Sequence, residues 1–294
     1  MANMRDIRRR IKGVKNTRQI TKAMQLVAAS KMKKAQDHAK SGRAYSLLLA
    51  DMIDSLYNNG ESVGGAFFGE RKVKTRGVIV VGTDKGLCGG LNGSLFRYIQ
   101  EIKGDVKFVS VGKKVKQFIS ATKRDLIADF EVSDRVTFSE VRPVVEFMLK
   151  AYIEQEVDTL EVVYTHFVNT LKQEPERISI LPLGDLTEMR KKLRDRFGDD
   201  ASFAGKDDRD ILFEPDAESM TEKLASLFIK QQIYQLILEA KASEHSARMV
   251  AMKSATDNAS NLVDDLTLEY NRVRQAAITQ EILEIAAATS SNNG

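Results

Sequence analysis

Tryptophan is absent from this 294-residue sequence, cysteine occurs once and proline only four times. A single thiol, Cys88, excludes an intramolecular disulfide and any multi-cysteine zinc site. His38, His166 and His245 are scattered and lack metal-ligand spacing. The longest apolar run, near residues 77–82, is far below the roughly 20 residues that a membrane-spanning helix needs. The opening MANMRDIRRR has no apolar h-region of a signal peptide, and so few residues precede Ile7 that a transit peptide is not expected. The expected location is the cytoplasm of a bacterium, with any membrane attachment indirect. Scarce proline leaves long stretches in which nothing interrupts a helix.

A hydrophobic content of 43% with 29% charged residues fits a packed chain rather than a disordered one. The net charge of +4 conceals an asymmetry. Residues 1–43 hold thirteen Lys and Arg against two acids, Asp6 and Asp37, so the remainder is net −7. A basic end of this kind predicts an acidic partner: nucleic acid, an acidic protein surface or anionic lipid.

The chain reads as helix, α/β domain, helix. From Met4 to about Tyr57 there is no proline, and glycine occurs only at Gly13 and Gly42. Ile7, Ile11 and Val14 fall at helical spacing, and Ile20, Met24 and Val27 continue a slightly rotated stripe. Glycines at 60, 64, 65 and 69 then break the pattern. Strands are expected at residues 76–83, 106–112, 160–167 and 176–182, with helices at 91–103 and 141–156. That alternation argues for a parallel or mixed sheet covered by helices, a central Rossmann-like α/β domain. The acidic, aperiodic residues 195–210 read as a surface loop.

Pro215, followed by Asp216 and Glu218, has the chemistry of a helix start, and no further proline occurs. A helix of about 70 residues would measure about 105 Å, and such a helix must bury its apolar stripe. Met220, Leu224, Leu227, Tyr234 and Leu238 keep heptad spacing, Val263, Leu266, Tyr270, Val273 and Ala277 resume it, and Ile278, Ile282 and Ile285 add a short stripe. The first helix is the expected partner. Both helices join the same middle domain, one entering and one leaving, so they should form an antiparallel two-stranded coiled coil. The expected divisions are 1–58 (N-terminal coil helix), 59–214 (α/β domain) and 215–294 (C-terminal coil helix). Between Leu238 and Leu262 the heptad steps fall on Lys241, His245, Arg248, Met252, Ala255 and Ala259. That polar stretch would serve an external partner or face solvent.

Three segments resemble the gamma family of F-type ATP synthases. They are IRRRIKGVKNTRQITKAMQLVAASKMKKA (7–35), GTDKGLCGGLN (82–92) and SEHSARMVAMKSATDNASNLVDDLTLEYNRVRQAAITQEILEI (243–285). Together they cover under a third of the chain, in family order. Ala288 and Thr289 stand where the family signature has a Gly-Ala pair, and the cysteine pair of the chloroplast members is missing. The resemblance implies a non-catalytic rotor of a proton-transporting ATP synthase, without cofactor. Its coil would turn inside a hexamer of alternating alpha and beta subunits. Its α/β foot would rest on the epsilon subunit and the membrane c-ring, one copy per complex, at the cytoplasmic face of a bacterial inner membrane. It further implies contacts with the beta subunits from Arg8, Arg9, Lys12, Met24, Arg248, Gln275, Thr279 and Glu281. Gly86, Leu87, Cys88, Gly89 and Gly90 would pack in the foot or toward epsilon.

Each of these residues also has a plainer reading. A basic run such as Arg8, Arg9, Arg10, Lys12 and Lys15 is most often a solvated helix face, Arg248, Gln275, Thr279 and Glu281 read equally as ordinary exposed helix decoration, and Met24 is equally a seam residue. GTDKGLCGG follows a strand and precedes a helix, as phosphate loops do. It lacks both the Gly-Lys-Ser/Thr ending and the dinucleotide spacing, so its glycines are expected to permit close packing instead. Cys88 reads as a small packed residue. The alternative functions are a nucleic-acid binder, which would lack any recognised motif, a nucleotide-dependent enzyme built on the α/β core, and a coiled-coil scaffold unrelated to ATP synthesis.

Overall fold

A computed structural model describes residues 4–58, 67–69, 71–183 and 217–292. In chain order the elements are α1 (Met4–Ser41), α2 (Arg43–Asn58), β1 (Thr75–Val81), α3 (Leu91–Glu101), β2 (Asp105–Val111), α4 (Lys113–Ala121), β3 (Leu126–Phe130), α5 (Phe138–Ile153), β4 (Thr159–Phe167), β5 (Gln173–Leu181) and α6 (Ala217–Asn292). The expected loop at 195–210 and the helix start at Pro215 lie outside the described residues, as does the chain around the expected 214/215 boundary. Among the described residues no helix is long and apolar enough to cross a membrane. The chain divides into two compact units, residues 29–247 and residues 1–28 with 248–294.

The first unit is built on a five-stranded sheet of order β3-β2-β1-β4-β5. All neighbours are parallel except the hairpin partners β4 and β5. Successive side chains of a strand point to opposite faces, and the core divides accordingly. Val78 and Val80 of β1 pack with Leu95 and Ile99 of α3 and Val115 and Ile119 of α4. Ile79 and Val81 pack with Val144, Val145 and Met148 of α5 and with Phe228, Ile229, Ile233 and Ile237 of α6. With both faces covered, the central strand can be apolar throughout, which is why its sequence reads as an unbroken run. The N-terminus of α5 is closed by a capping box: Glu140 accepts from the Thr137 backbone N–H at 2.8 Å and from the Thr137 hydroxyl at 3.0 Å.

Two expectations for the helices need correction in this unit. The N-terminal helix is interrupted at Gly42, where a Cβ would lie 1.8 Å from Nε2 of the buried Gln235. The early part of α6 is no two-stranded seam: Thr221, Ala225, Phe228, Ile229, Gln232, Ile233 and Leu236 are all buried. A face that broad is the mark of a helix packed into a domain core.

The second unit is the coiled coil. On α1, Ile7, Thr21 and Ala28 are buried and Ile11, Val14, Arg18 and Gln25 half-buried. On α6, Met252, Ala259 and Val263 are buried and Thr256, Leu266, Tyr270 and Val273 half-buried. Both sets keep alternating three- and four-residue steps. The Thr256 hydroxyl donates to Thr21 Oγ1 at 2.8 Å, which fixes a register in which residue n of α1 faces residue 277 − n of α6. Ile7 then meets Tyr270, Ile11 meets Leu266 and Val14 meets Val263, and Met4, the first described residue of α1, meets Val273. The rotated stripe is corrected: Ile20 and Val27 are 61% and 55% exposed, because the seam stays in strict heptad phase and takes Thr21 and Ala28. Ala277, Ile278, Ile282 and Ile285 are also exposed, and they lie beyond the part of α6 that the described α1 residues face.

Candidate functional site

In a doubly wound sheet the ligand crevice lies outside the carboxyl ends of the strands, where the strand order reverses. Here the reversal falls between β1 and β4. The loop after β1, residues 82–90, begins there and is tied inward at each step. The Gly82 N–H donates to the Val111 carbonyl at 2.9 Å, and the Lys114 N–H to the Thr83 carbonyl at 2.9 Å. Asp84 accepts from the Lys113 N–H at 3.1 Å, so this amide at the N-terminus of α4 is already engaged by a carboxylate of the same chain. Asn92 donates to Thr83 Oγ1 at 2.9 Å and to Cys88 Sγ at 3.4 Å.

Among the described residues, a Cβ on Gly86 or Gly90 would meet nothing within 4 Å. Gly89 supplies a φ of 60°, a conformation that glycine adopts without steric cost. The packing is done by Cys88, which is buried and clusters with Leu91 and with Ala247 of α6. Leu87 projects, 60% exposed.

α6 crosses this carboxyl edge with an unusual surface. Lys241, Ala242, Ser243, Glu244, His245, Ser246 and Ala247 are all buried, which corrects the expectation that this polar stretch faces solvent or an external partner. Its partners lie within the same unit. The Lys241 ammonium is 3.6 Å from an Asp84 carboxylate oxygen and 3.4 Å from one of Glu244. The Ser246 hydroxyl donates to the Thr170 carbonyl at 3.0 Å. Two turns before Ser246, Glu239 pairs with His166 at the end of β4 and accepts from the Phe167 N–H at 3.3 Å. A hydrogen bond with Glu239 raises the His166 pKa above its ordinary value, against the opposing effect of burial. Burial raises that of Glu176, which lies 3.7 Å from His166 and accepts from the Tyr164 hydroxyl at 2.7 Å. Asp134, in the loop after β3, pairs with Lys31 of α1, whose hydrogen bond holds its pKa low. Sequence reasoning missed this buried network. The one available signal was a run of polar and charged residues on heptad positions of α6.

The residues expected to contact partners all belong to the coil unit. Arg8, Arg9, Lys12, Gln275, Thr279 and Glu281 are exposed, and Met24 and Arg248 half-buried. Arg9 is paired with Asp6 at 2.9 Å. By the register of the coil, Met24 faces Lys253, five residues along α6 from Arg248. Gln275, Thr279 and Glu281 extend past the facing end of α1. The structure therefore groups Met24 with Arg248 toward one end of the paired stretch and the other α6 residues toward the opposite end.

A heptad-paired helix couple with a doubly wound domain inserted between its members in sequence, its crevice closed by its own second helix, defines a coiled-coil protein with an inserted α/β domain. The family model described as ATP synthase matches residues 3–291. The ATP synthase gamma chain of Opitutus terrae is 54% identical over 288 residues, covering 98% of each chain, and that of Methylacidiphilum infernorum is 44% identical, again over 98% of each. The chain belongs to the ATP synthase gamma family. The fold is also that of a chain in the OSCP/F1/c-ring structure of Euglena gracilis mitochondrial ATP synthase, with a TM-score of 0.68 at 20% identity, covering 98% of this chain and 94% of that one.

Proposed function

We propose that this chain is the central-stalk rotor of an F-type ATP synthase. It turns inside a hexamer of alternating alpha and beta subunits and couples ion flow through a membrane c-ring to ATP chemistry at the beta subunits. One copy serves each complex. The α/β domain rests on the epsilon subunit and the c-ring, so attachment to the inner face of a bacterial plasma membrane is indirect and peripheral. The observation that carries this reading is the exposed end of α6. Beyond Val273 no described α1 residue faces the helix, yet Ile278, Ile282 and Leu283 are large, apolar and 46–60% exposed. A run of apolar residues left in water on a helix end calls for a surrounding protein surface. Arg8, Arg9 and Lys12 on the neighbouring helix add charge suited to acidic loops, an attraction effective within about 8–10 Å at physiological salt.

The chain has no catalytic role of its own in this reading. What supports this is the closed crevice: Lys241 occupies the carboxyl edge, and Asp84 holds the α4 amide that a phosphate would otherwise use. A rod whose faces differ then acts by differential contact, favouring one conformation of each beta subunit in turn. The test is purification of the complex from cells. One copy of this chain is expected per alpha–beta hexamer, and deletion of the chain should abolish ion-driven ATP synthesis. Recovery of full coupled synthesis from the deletion strain would overturn the assignment.

A further inference from the structure

The buried polar stretch of α6 has a geometry that burial alone does not require. A helix turns about 100° per residue, so Glu239 and Ser246 fall on one side of α6 and Lys241 nearly opposite, with Glu244 and Ala247 between. Glu239 and Ser246 engage the β4–β5 hairpin, through His166, the Phe167 N–H and the Thr170 carbonyl. Lys241 engages Asp84 of the loop after β1, and Ala247 packs on Cys88 of the same loop and on Leu91, the first residue of α3. The helix is thus gripped from two nearly opposed directions within eight residues. Apolar contacts are non-directional and tolerate a helix turning about its axis. Charge pairs and hydrogen bonds have directions, and their best-attested use in helical assemblies is to fix register.

We propose that Lys241, held by Asp84 and Glu244, is a positioning residue that locks α6 in rotation against the sheet of its own unit, so that torque passes from the α/β domain into the helix without slip. The inference rests on the rotor reading and deepens it. Lys241 is 2% exposed, with Glu244 buried beside it and Asp84 half-buried. Taking the ammonium away leaves two carboxylates facing one another with their shared counter-charge gone. The lock on the loop side then opens, and the hairpin side alone holds the helix. Lys241 touches no nucleotide site, so ATP turnover on the hexamer is not its direct concern.

The experiment uses the complete complex, immobilised through its hexamer, with a rotation probe on the α/β domain. Lys241→Met, Asp84→Asn and Lys241→Arg are compared with wild type for ATP hydrolysis, ions pumped per ATP and the width of the probe's angular fluctuation at stalled dwells. In Lys241→Met and Asp84→Asn, hydrolysis should stay within about twofold, while angular variance rises at least about twofold and pumping per ATP falls; Lys241→Arg, which keeps a charge for both carboxylates, should return both to wild type. Unchanged variance in either charge-removing variant overturns the lock. If Lys241→Met does not assemble, Asp84→Asn, which leaves the lysine in place, decides alone. A wild-type complex whose probe never turns would instead sink the rotor reading, so the two failures are distinct.

Discussion

A Cβ built on Gly112 would lie 2.7 Å from the carbonyl oxygen of Gly82. The two glycines stand at the ends of neighbouring strands, where the chain leaves β2 for α4 and leaves β1 for the loop that Lys241 grips. Gly112 also has a φ of 109°, which side chains rarely tolerate. Gly112→Ala therefore meets backbone strain and a backbone clash together, and should destabilise the purified chain by about 2 kcal/mol or more. Gly86→Ala, four residues into the same loop and facing open space, should stay within about 0.5 kcal/mol. Urea unfolding of the two variants provides the comparison; equal losses would contradict the geometric account.

This carboxyl edge also marks where sequence reasoning stopped. The strands β1, β2, β4 and β5 were legible because a short apolar or alternating run bounded by turn residues suits little but a strand. β3 and α4 were not read. Leu126–Phe130 is five residues long with no fully buried position, and Lys113–Ala121 is nine residues carrying only Val115 and Ile119 inward. The coil was legible from its heptad steps where α1 and α6 alone face each other. It was misread at Ile20 and Val27, because hydrophobicity cannot distinguish a seam from a surface meant for another chain. The polar stretch of α6 was illegible for a different reason: apart from the Lys241–Glu244 pair, its partners are distant in sequence, Thr170 lying 76 residues from Ser246. No local pattern encodes such a pairing.

The Thr21–Thr256 pair tests the coil register. Thr256 also has the Met252 carbonyl as an acceptor at 2.8 Å, and Thr21 the Arg18 carbonyl at 3.1 Å. Removing one hydroxyl therefore leaves its partner a bonded alternative. Thr21→Val and Thr256→Val should each cost under about 1 kcal/mol, with the double variant near neutral because both polar groups of the seam are gone together. A double-mutant cycle by chemical denaturation measures the coupling, and strictly additive losses would mean the hydroxyls do not meet.

The His166–Glu239 contact gives stability a pH dependence with a definite sign. The His166 pKa is raised above 6.5 in the folded state. Its contribution is therefore complete below that value and is lost as pH rises through the raised one. Glu176, raised from 4.5 by burial, also disfavours folding as pH rises through its own window. Among the described residues, Glu174 also acts on the imidazole, and Lys40 and Arg43 line the same cavity. Thermal midpoints of wild type and His166→Gln, compared at about pH 6 and about pH 8.5, should differ at the lower pH and converge at the higher. A gap that does not narrow would show that the imidazole acts through packing rather than charge.

Ile20 and Val27 lie one heptad apart on the face of α1 turned away from the seam. Their exposure means that polar replacements remove little packing within the chain. Ile20→Ser with Val27→Ser should change the unfolding free energy of the purified chain by less than about 0.5 kcal/mol per site. In the complex the proposed surroundings are the alpha and beta subunits, and there the same side chains would be covered. Burying an apolar side chain contributes about 1.5–3 kcal/mol. The double variant should accordingly weaken association of this chain with the alpha–beta hexamer by at least about tenfold. Reconstitution from purified subunits, titrating wild-type or variant chain against a fixed amount of hexamer, reads the loss directly. Equal association of the two would mean that this face stays in water after assembly and that the coil is held by other residues.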